Sequence, residues 1–340
     1  MIKSMYSGIS GMNAQQKKLD VIGDNIANAS TTAFKSSRVT FQDTIKQADG
    51  KASGPNASLG GTNPKLIGMG VNIQSIDVNT RQGNLQPTGR PLDLAIDGSG
   101  YFMVAKGSKE GVIKISDQDE SKGRIDSESS KDLQVFFTRD GELKLDSLGN
   151  LVTPDGLRVL GYDIEGVDVK RDGDKIAMEI TDDQKDEKYK ANAGEGLKPL
   201  AIPEKMGAEP DTKRVQNFTI EKDGLIKVML DDGNTVAIGQ IAMASFVNPS
   251  ALEGIGKNKV VPTANSGQAL VRPGIDRETP ANEKGSEAYG DMIQSVLEMS
   301  NVDLAVEFTE MIVASRSFQA CSKVITTGDE ILQELVNLKR

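Results

Sequence analysis

The side chains that most often do chemistry are scarce here: among 340 residues there is no histidine, no tryptophan and one cysteine, Cys321. A zinc site of histidine and cysteine ligands and an intrachain disulfide are both excluded within one subunit. Catalysis by a serine–histidine or cysteine–histidine pair is excluded too, because no imidazole exists to act as base. Carboxylates, lysines and tyrosines are what remains for acid–base work. Most of the 49 acidic residues fall in turns or mixed-charge runs, where a solvated face is the default. A carboxylate-based glycoside hydrolase needs two of them facing each other across a cleft, and spacing singles out no such pair. The acidic turns Asp231-Asp232-Gly233 and Asp117 to Glu120 lack the ligand spacing of an EF-hand loop, so hairpin and loop chemistry explains them better than calcium. The chain therefore reads as non-enzymatic, with no catalytic residue, cofactor or metal expected.

The bulk of the sequence narrows the partners. Net charge is −9, from 40 basic and 49 acidic residues, and no lysine or arginine cluster is interleaved with aromatics, so nucleic acid is not an expected partner. The apolar stretches fall far short of the roughly 18 to 20 residues that cross a bilayer. The N-terminus, MIKSMYSGISGMNAQQKKLD, turns polar too soon for a cleavable signal peptide, so any export would use a route that reads something else.

The elements that must position whatever this chain does lie at its two ends. From Ile2 to Ala29, Met5, Met12, Leu19 and Ile26 recur every seven residues, with Ile9 on the companion seam and polar residues such as Asn13, Lys17 and Asp20 opposite. That spacing predicts an amphipathic helix. Near the other end Leu297, Leu304, Met311, Phe318, Ile325 and Leu332 repeat at the same interval, with Phe308 on the companion seam. Ser300 or Asn301 is the expected N-cap, just before the favourable charge of Asp303. Cys321 lies beside this seam and reads as a small packing residue. Between the ends the pattern changes to alternation: LDLAIDGSGYFMV, VFFTRDGELKLD, FTIEKDGLIKVML and TVAIGQIAMASFV read as strands, with Asp140-Gly141, Asp223-Gly224 and Asp232-Gly233 as turns.

The expected architecture is a mixed α and β, multidomain chain: terminal helices paired as a coiled coil around a central all-β body. Residues 1–30 plus 298–340 form the helix pair, 31–70 plus 272–297 a connector, and 71–162 plus 216–271 the β domain. Residues 163–215, dense in both charge signs, form an outer insertion or small domain. Each helix has one apolar stripe and no core of its own, and a lone amphipathic helix of this length is marginal in water. The longer C-terminal stripe also extends past what the N-terminal helix can cover, which leaves surface for other subunits. Periodicity alone is equally satisfied by an antiparallel stalk on a monomer or dimer.

Particular residues go further than periodicity. MYSGISGMNAQQKKLDVIGDNIANASTTAFKSSRVTFQD resembles the N-terminal signature of flagellar rod and hook proteins, with Asn25, Ile26, Ala27, Asn28, Thr32, Phe34 and Lys35 on the motif and Asp24 where Asn is usual. SNVDLAVEFTEMIVASRSFQACSKVITTGDEILQELVNL resembles that family's C-terminal helix, opened by Ser300, Asn301, Val302 and Asp303. The β segments GRPLDLAIDGSGYFMV, FFTRDGELKLDSLGNLVTPDGLRVLGY and IGQIAMASFVNPSALEGIGKN are similar to its shared β domain. Within the family, GGTNPKLIGMGVNIQSIDVNTRQGNLQ is closest to hook proteins of the Gram-positive kind, with the distal rod protein as the alternative. The resemblance implies a structural subunit that polymerises with itself into a helical tube, the paired helices lining the inside. It also implies location in the flagellar basal body and hook, outside the cell, after export through the flagellar type III apparatus without a cleaved signal peptide. Rod, hook cap and hook–filament junction proteins are the implied partners, and torque transmission between rod and filament is the implied role of a hook.

Overall fold

The computed structural model describes residues 2–52, 54–55, 60–108, 111–115, 123–125, 133–164, 167–172, 175–180, 196–206, 213–272 and 289–338. The chain divides into two units, one of residues 1–81 and 300–340 and the other of residues 82–299.

The terminal unit is built on two helices, α1 (Ile2–Ala27) and α2 (Leu304–Leu338), packed against each other. Their lengths of 26 and 35 residues correspond to about 39 and 52 Å. Four strands complete the unit: β1 (Ser37–Asp43), β2 (Lys46–Gly50), β3 (Lys65–Gly68) and β4 (Val71–Val78). β1 pairs antiparallel with β4 and β2 with β3, so the chain runs out and back as a long two-stranded ribbon. Residues 31–70, expected as a connector, thus carry three of these strands. Turn-rich composition does not separate a linker from a ribbon that has solvent on most sides, as the exposed Ile45, Leu66 and Ile67 show. Ribbon and helix are joined at Gly70, whose φ of +119° and lack of a side chain let the backbone approach Ser10; the Val71 amide donates to Ser10 Oγ at 3.3 Å.

The second unit is almost all strand. β5 (Leu85–Pro87) and β6 (Leu94–Asp97) pair antiparallel with Val296–Glu298 and Asp291–Gln294. Leu297, the first residue of the expected seven-residue repeat, is therefore in a strand opposite Gln86, and the helix starts only at Leu304. One coincidental apolar residue at the right interval extended the apparent heptad beyond its true beginning. The principal sheet runs from Val167–Asp172 through Lys175–Ile180, Lys205–Met206, Lys213–Ile220, Leu225–Leu230, Thr235–Ile241 and Arg158–Asp163 to β7 (Tyr101–Gly107) and β8 (Leu133–Thr138), then Lys259–Val261 and Glu253–Gly256. The region 163–215 joins this sheet through Lys198–Pro199, paired with Arg158–Asp163, and Lys205–Met206, paired with Lys213–Ile220, and the hairpin Val167–Asp172/Lys175–Ile180 extends it at the edge; 165–166, 173–174, 181–195 and 207–212 lie outside the described residues. Most of the expected connector at 272–297 likewise falls outside them, at 273–288.

The central strands have both faces covered. Phe102 and Val104 of β7 enter one core with Val159, Ile241 and Met243, while Met103 and Ala105 enter another with Leu160, Ala242 and Ala244. A strand buried on both sides needs no polar alternation, which is why YFMVA and IAMA read as unbroken apolar runs.

The Asp-Gly pairs split in role. Gly224 and Gly233 have φ of +82° and +76° and turn the chain at either end of Leu225–Leu230. Asp140-Gly141 makes no hairpin, because β8 pairs with β7 and Lys259–Val261 instead. Gly141 serves close approach: its carbonyl accepts from the Leu94 amide at 3.0 Å, and a Cβ there would overlap the Leu94 carbonyl oxygen. Gly141→Ala should therefore lower the stability of this unit by about 1 to 3 kcal/mol, measured by urea titration of tyrosine fluorescence, whereas Gly233→Asn, at an open turn, should cost under about 1 kcal/mol.

Candidate functional site

The helices run antiparallel, and the centre of their contact is made of small and polar residues. On α1 the buried positions are Gly8, Gly11, Ala14, Ile22 and Asn25; on α2 they are Ala314 and Gly328. A Cβ on Gly11 would stand 3.0 Å from Cys321 Sγ, one on Gly8 3.2 Å from Ile325 Cγ1, and one on Gly328 3.2 Å from Met5 Cγ. Towards the other end of the seam Lys18 pairs with Glu310 at 3.1 Å, and Asn25 Nδ2 donates to Glu307 at 3.0 Å. Glu307, Ala314, Cys321 and Gly328 thus form a true seven-residue repeat facing Gly11, Lys18 and Asn25, which carry the same interval. Glycine at these points lets the backbones close to a distance that larger side chains forbid.

The residues singled out by hydrophobic period sit at the margin of this seam. Met5, Met12, Leu19 and Ile26 are half-buried and Ile9 is 42% exposed. Met311, Phe318, Ile325 and Leu332 are half-buried on α2, while Leu304 and Phe308 are 44% and 50% exposed. A hydrophobicity period ignores glycine, so it locates the flank of a small-residue seam and misses its centre. Cys321 packs on Gly11 as a small residue.

α1 leaves much of α2 uncovered. Val306, Phe308, Ile312 and Val313 are each at least half exposed, and beyond Gly328, which faces Met5, so are Val336 and Leu338.

Where α1 ends, the motif residues lock a junction. Asn25, 1% exposed, accepts from the Ser37 amide at 2.9 Å through Oδ1 and donates through Nδ2 to the Ser37 carbonyl at 2.9 Å as well as to Glu307. Asn301, from the other end of the sequence, takes the neighbouring position: its Oδ1 accepts from the Ser36 amide at 2.7 Å and its own amide donates to the Phe34 carbonyl at 3.3 Å. Its Nδ2 donates to the carbonyls of Asn79 and Arg81 at 2.8 and 3.0 Å, and Lys35 Nζ reaches the Arg81 carbonyl at 2.9 Å. Asn28 closes the helix by donating to the Asp24 carbonyl and side chain, both at 3.0 Å, and accepts from Thr31. Ala33 follows at a φ of 55°. Ile26, Thr32, Phe34 and Val302 are half-buried around these bonds, and Ala27 is exposed. Ser300 is buried, but the expected cap falls to Asp303, whose Oδ1 accepts from the amides of Ala305 and Val306 at 2.9 and 3.3 Å. Asn301 cannot cap because both ends of its side chain are engaged in the junction.

Two of the three family matches fall on these features. The family described as "Flagella basal body rod protein" matches residues 5–35, "Flagellar basal body rod FlgEFG protein C-terminal" matches 293–338, and "Flagellar hook protein FlgE/F/G D1 domain" matches 127–228. The flagellar basal-body rod protein FlgG of Bacillus subtilis is 40% identical over 340 positions, covering all of both chains. This chain belongs to the flagellar rod and hook protein family. Among other flagellar rod and hook proteins, the hook protein FlgE of Borreliella burgdorferi is 30% identical over 462 positions and the rod protein FlgG of the same organism 30% over 344, each covering all of both chains. The family motifs at both ends of this chain thus coincide with the asparagine junction and the helix seam.

Glu307 should make the junction respond to pH. Desolvation raises its carboxyl above the ordinary glutamate value; the Asn25 hydrogen bond opposes the rise, Glu310 and Asp303 add to it, and Lys18 opposes it. An acid whose pKa is higher folded than unfolded contributes stability that is complete below its unfolded value and is lost as pH climbs through the folded one. Glu307→Gln keeps an acceptor for Asn25, so helix-pair stability should become flatter with pH above the ordinary glutamate range and higher at neutral pH, read by circular dichroism melts across a pH series. At the seam itself, Gly11→Leu should force Cys321 away and cost about 1 to 3 kcal/mol of helix pairing, visible in the same melts, while Asn13→Ala on the exposed face of α1 should stay within about 0.5 kcal/mol.

Proposed function

We propose that this chain is a non-enzymatic structural subunit that assembles with copies of itself into the axial tube of the bacterial flagellum. The observation that carries this reading is the apolar face of α2 that α1 leaves uncovered, in a chain of the rod and hook family. Isolated apolar side chains on a surface are ordinary, but Val306, Val313, Val324, Ile331, Leu335 and Leu338, each at least 45% exposed and spaced to share one stripe of α2, form an interaction surface. A heterologous contact of that face with another copy, repeated without closure, produces a helical filament. Helix pairs from successive copies would line the tube. Its place is the basal body and hook, reached through the flagellar type III apparatus without removal of a signal peptide, with neighbouring rod, hook cap and hook–filament junction proteins as partners.

Two placements along that tube stand level. A hook subunit, which couples rod to filament and passes on motor torque, is favoured by the likeness of residues 60–86 to hook proteins. A distal rod subunit is favoured by the 40% identity to the Bacillus subtilis protein named for the rod, whose alignment adds no positions to the 340 of this chain, whereas the Borreliella burgdorferi hook alignment runs to 462. Antibody labelling of isolated organelles separates them: signal on the curved segment assigns the hook, signal confined to the straight shaft assigns the rod.

Assembly is tested with Val313→Asp and Ile331→Asp, both on that stripe. The purified variants should keep the wild-type circular dichroism spectrum and melting temperature yet form no tubes by electron microscopy under conditions where wild type does. Normal tubes from both would remove the α2 face from the assembly reading. Purified wild-type protein should also release no soluble product from peptidoglycan.

A further inference from the structure

The chain passes between its two units twice, at Arg81–Gln82 going out and at Met299–Ser300 coming back. In each unit a side chain from the returning segment grips the outgoing one. In the terminal unit Asn301 donates to the carbonyls of Asn79 and Arg81 at 2.8 and 3.0 Å, and Lys35 supplies a second donor to the Arg81 carbonyl at 2.9 Å. In the strand-rich unit Glu298, wholly buried, accepts from the Gly83 amide at 2.9 Å, and the Met299 amide donates to the Asn84 carbonyl at 2.9 Å. Glu298 is itself anchored by Arg139 at 3.2 and 3.3 Å, and Arg139 donates further to the carbonyls of Gly98 and Gly100. Both partners of this pair are almost completely out of water, so removing either would leave a buried charge uncompensated.

We infer that Asn301 in the terminal unit and Glu298 in the strand-rich unit each brace the outgoing segment to the returning one inside its own unit. Within each unit these bonds hold the two segments together, so neither segment can peel from its unit alone. Lys35 and Arg139 are positioning residues of the brace: one doubles the hold on the Arg81 carbonyl, the other fixes the Glu298 carboxylate. The residues are of the right types for this. An asparagine offers donor and acceptor at once, and a carboxylate held by a guanidinium keeps a fixed orientation in a dry site. The brace belongs to the single chain, so its failure and that of the assembly reading are separable.

The Arg81–Gln82 bond reports on the brace because Arg81 is an exposed tryptic site whose scissile carbonyl is the one held by Asn301 and Lys35. Local opening must precede cleavage, so its rate follows the population of the opened segment. Full-length wild-type protein and Asn301→Asp are digested with trypsin under native conditions, and cleavage after Arg81, Arg38 and Lys227 is followed by mass spectrometry. The aspartate keeps an acceptor for Ser36 but loses both donations to the outgoing segment. Cleavage after Arg81 should rise about tenfold or more, with Arg38 in β1 and Lys227 in its strand unchanged. Lys35→Met should give a smaller rise at the same bond, and the double variant a larger one than either. An unchanged rate at Arg81 in both single variants would overturn the brace. An equal rise at Arg38 would overturn it too, since the terminal unit would then be unfolding as a whole.

Discussion

The terminal unit depends on how closely two helices from opposite ends of the sequence can approach. Gly8, Gly11 and Gly328 set that distance, with Cys321 resting where the Gly11 side chain would be. The backbones must be near each other before Asn25 can reach Glu307, and α1 must end at the right height before Asn25 and Asn301 can take up Ser36 and Ser37 side by side. The hydrogen bonds then fix the angle at which β1 leaves the helix pair, and the ribbon follows. A seam of larger apolar residues would bury more area but would hold α1 away from α2 by the thickness of a side chain, out of reach of the junction. Closeness, more than hydrophobic area, is what the rest of this unit is built upon.

Much of this was legible in the sequence, and the parts that were not failed for identifiable reasons. The two terminal helices, the strand-rich middle and the turns at Gly224 and Gly233 follow from periodicity and turn chemistry. The apolar heptad found the right helices and the wrong centre, because glycine and alanine carry no weight in a hydrophobic period although they decide where helices touch. Glu307, Ala314, Cys321 and Gly328 repeat just as regularly, and a search for recurring small residues would have found them. Leu297 misled because interval alone cannot tell a helix from a strand that precedes it. The ribbon from β1 to β4 was hidden by composition, since a two-stranded element with little burial looks like a linker. The motif residues Asn25, Lys35 and Asn301 were visible as a resemblance, but their roles are not: a hydrogen bond to residues 36 or 81 leaves no trace in local pattern.

The strand-rich unit follows a different logic. Its central strands are covered on both faces, so β7 and the segment from Ile241 to Phe246 divide their side chains between two cores. Such a strand cannot slip by one residue without exchanging Phe102 and Met103 between cores of different shape, which fixes the register without any special turn. Arg139 and Glu298 are buried polar groups of this interior that do positional work.

Cys321 stands at the middle of the seam, its sulfur against Gly11, with no second thiol anywhere in the chain. A thiol reagent there works beside the packed Gly11 backbone, so its rate should rise whenever the helices part. The protein therefore carries a native chemical clock for breathing of its helix pair, one that would slow as the seam is tightened and could be read in a single chain or in a finished polymer without adding any label.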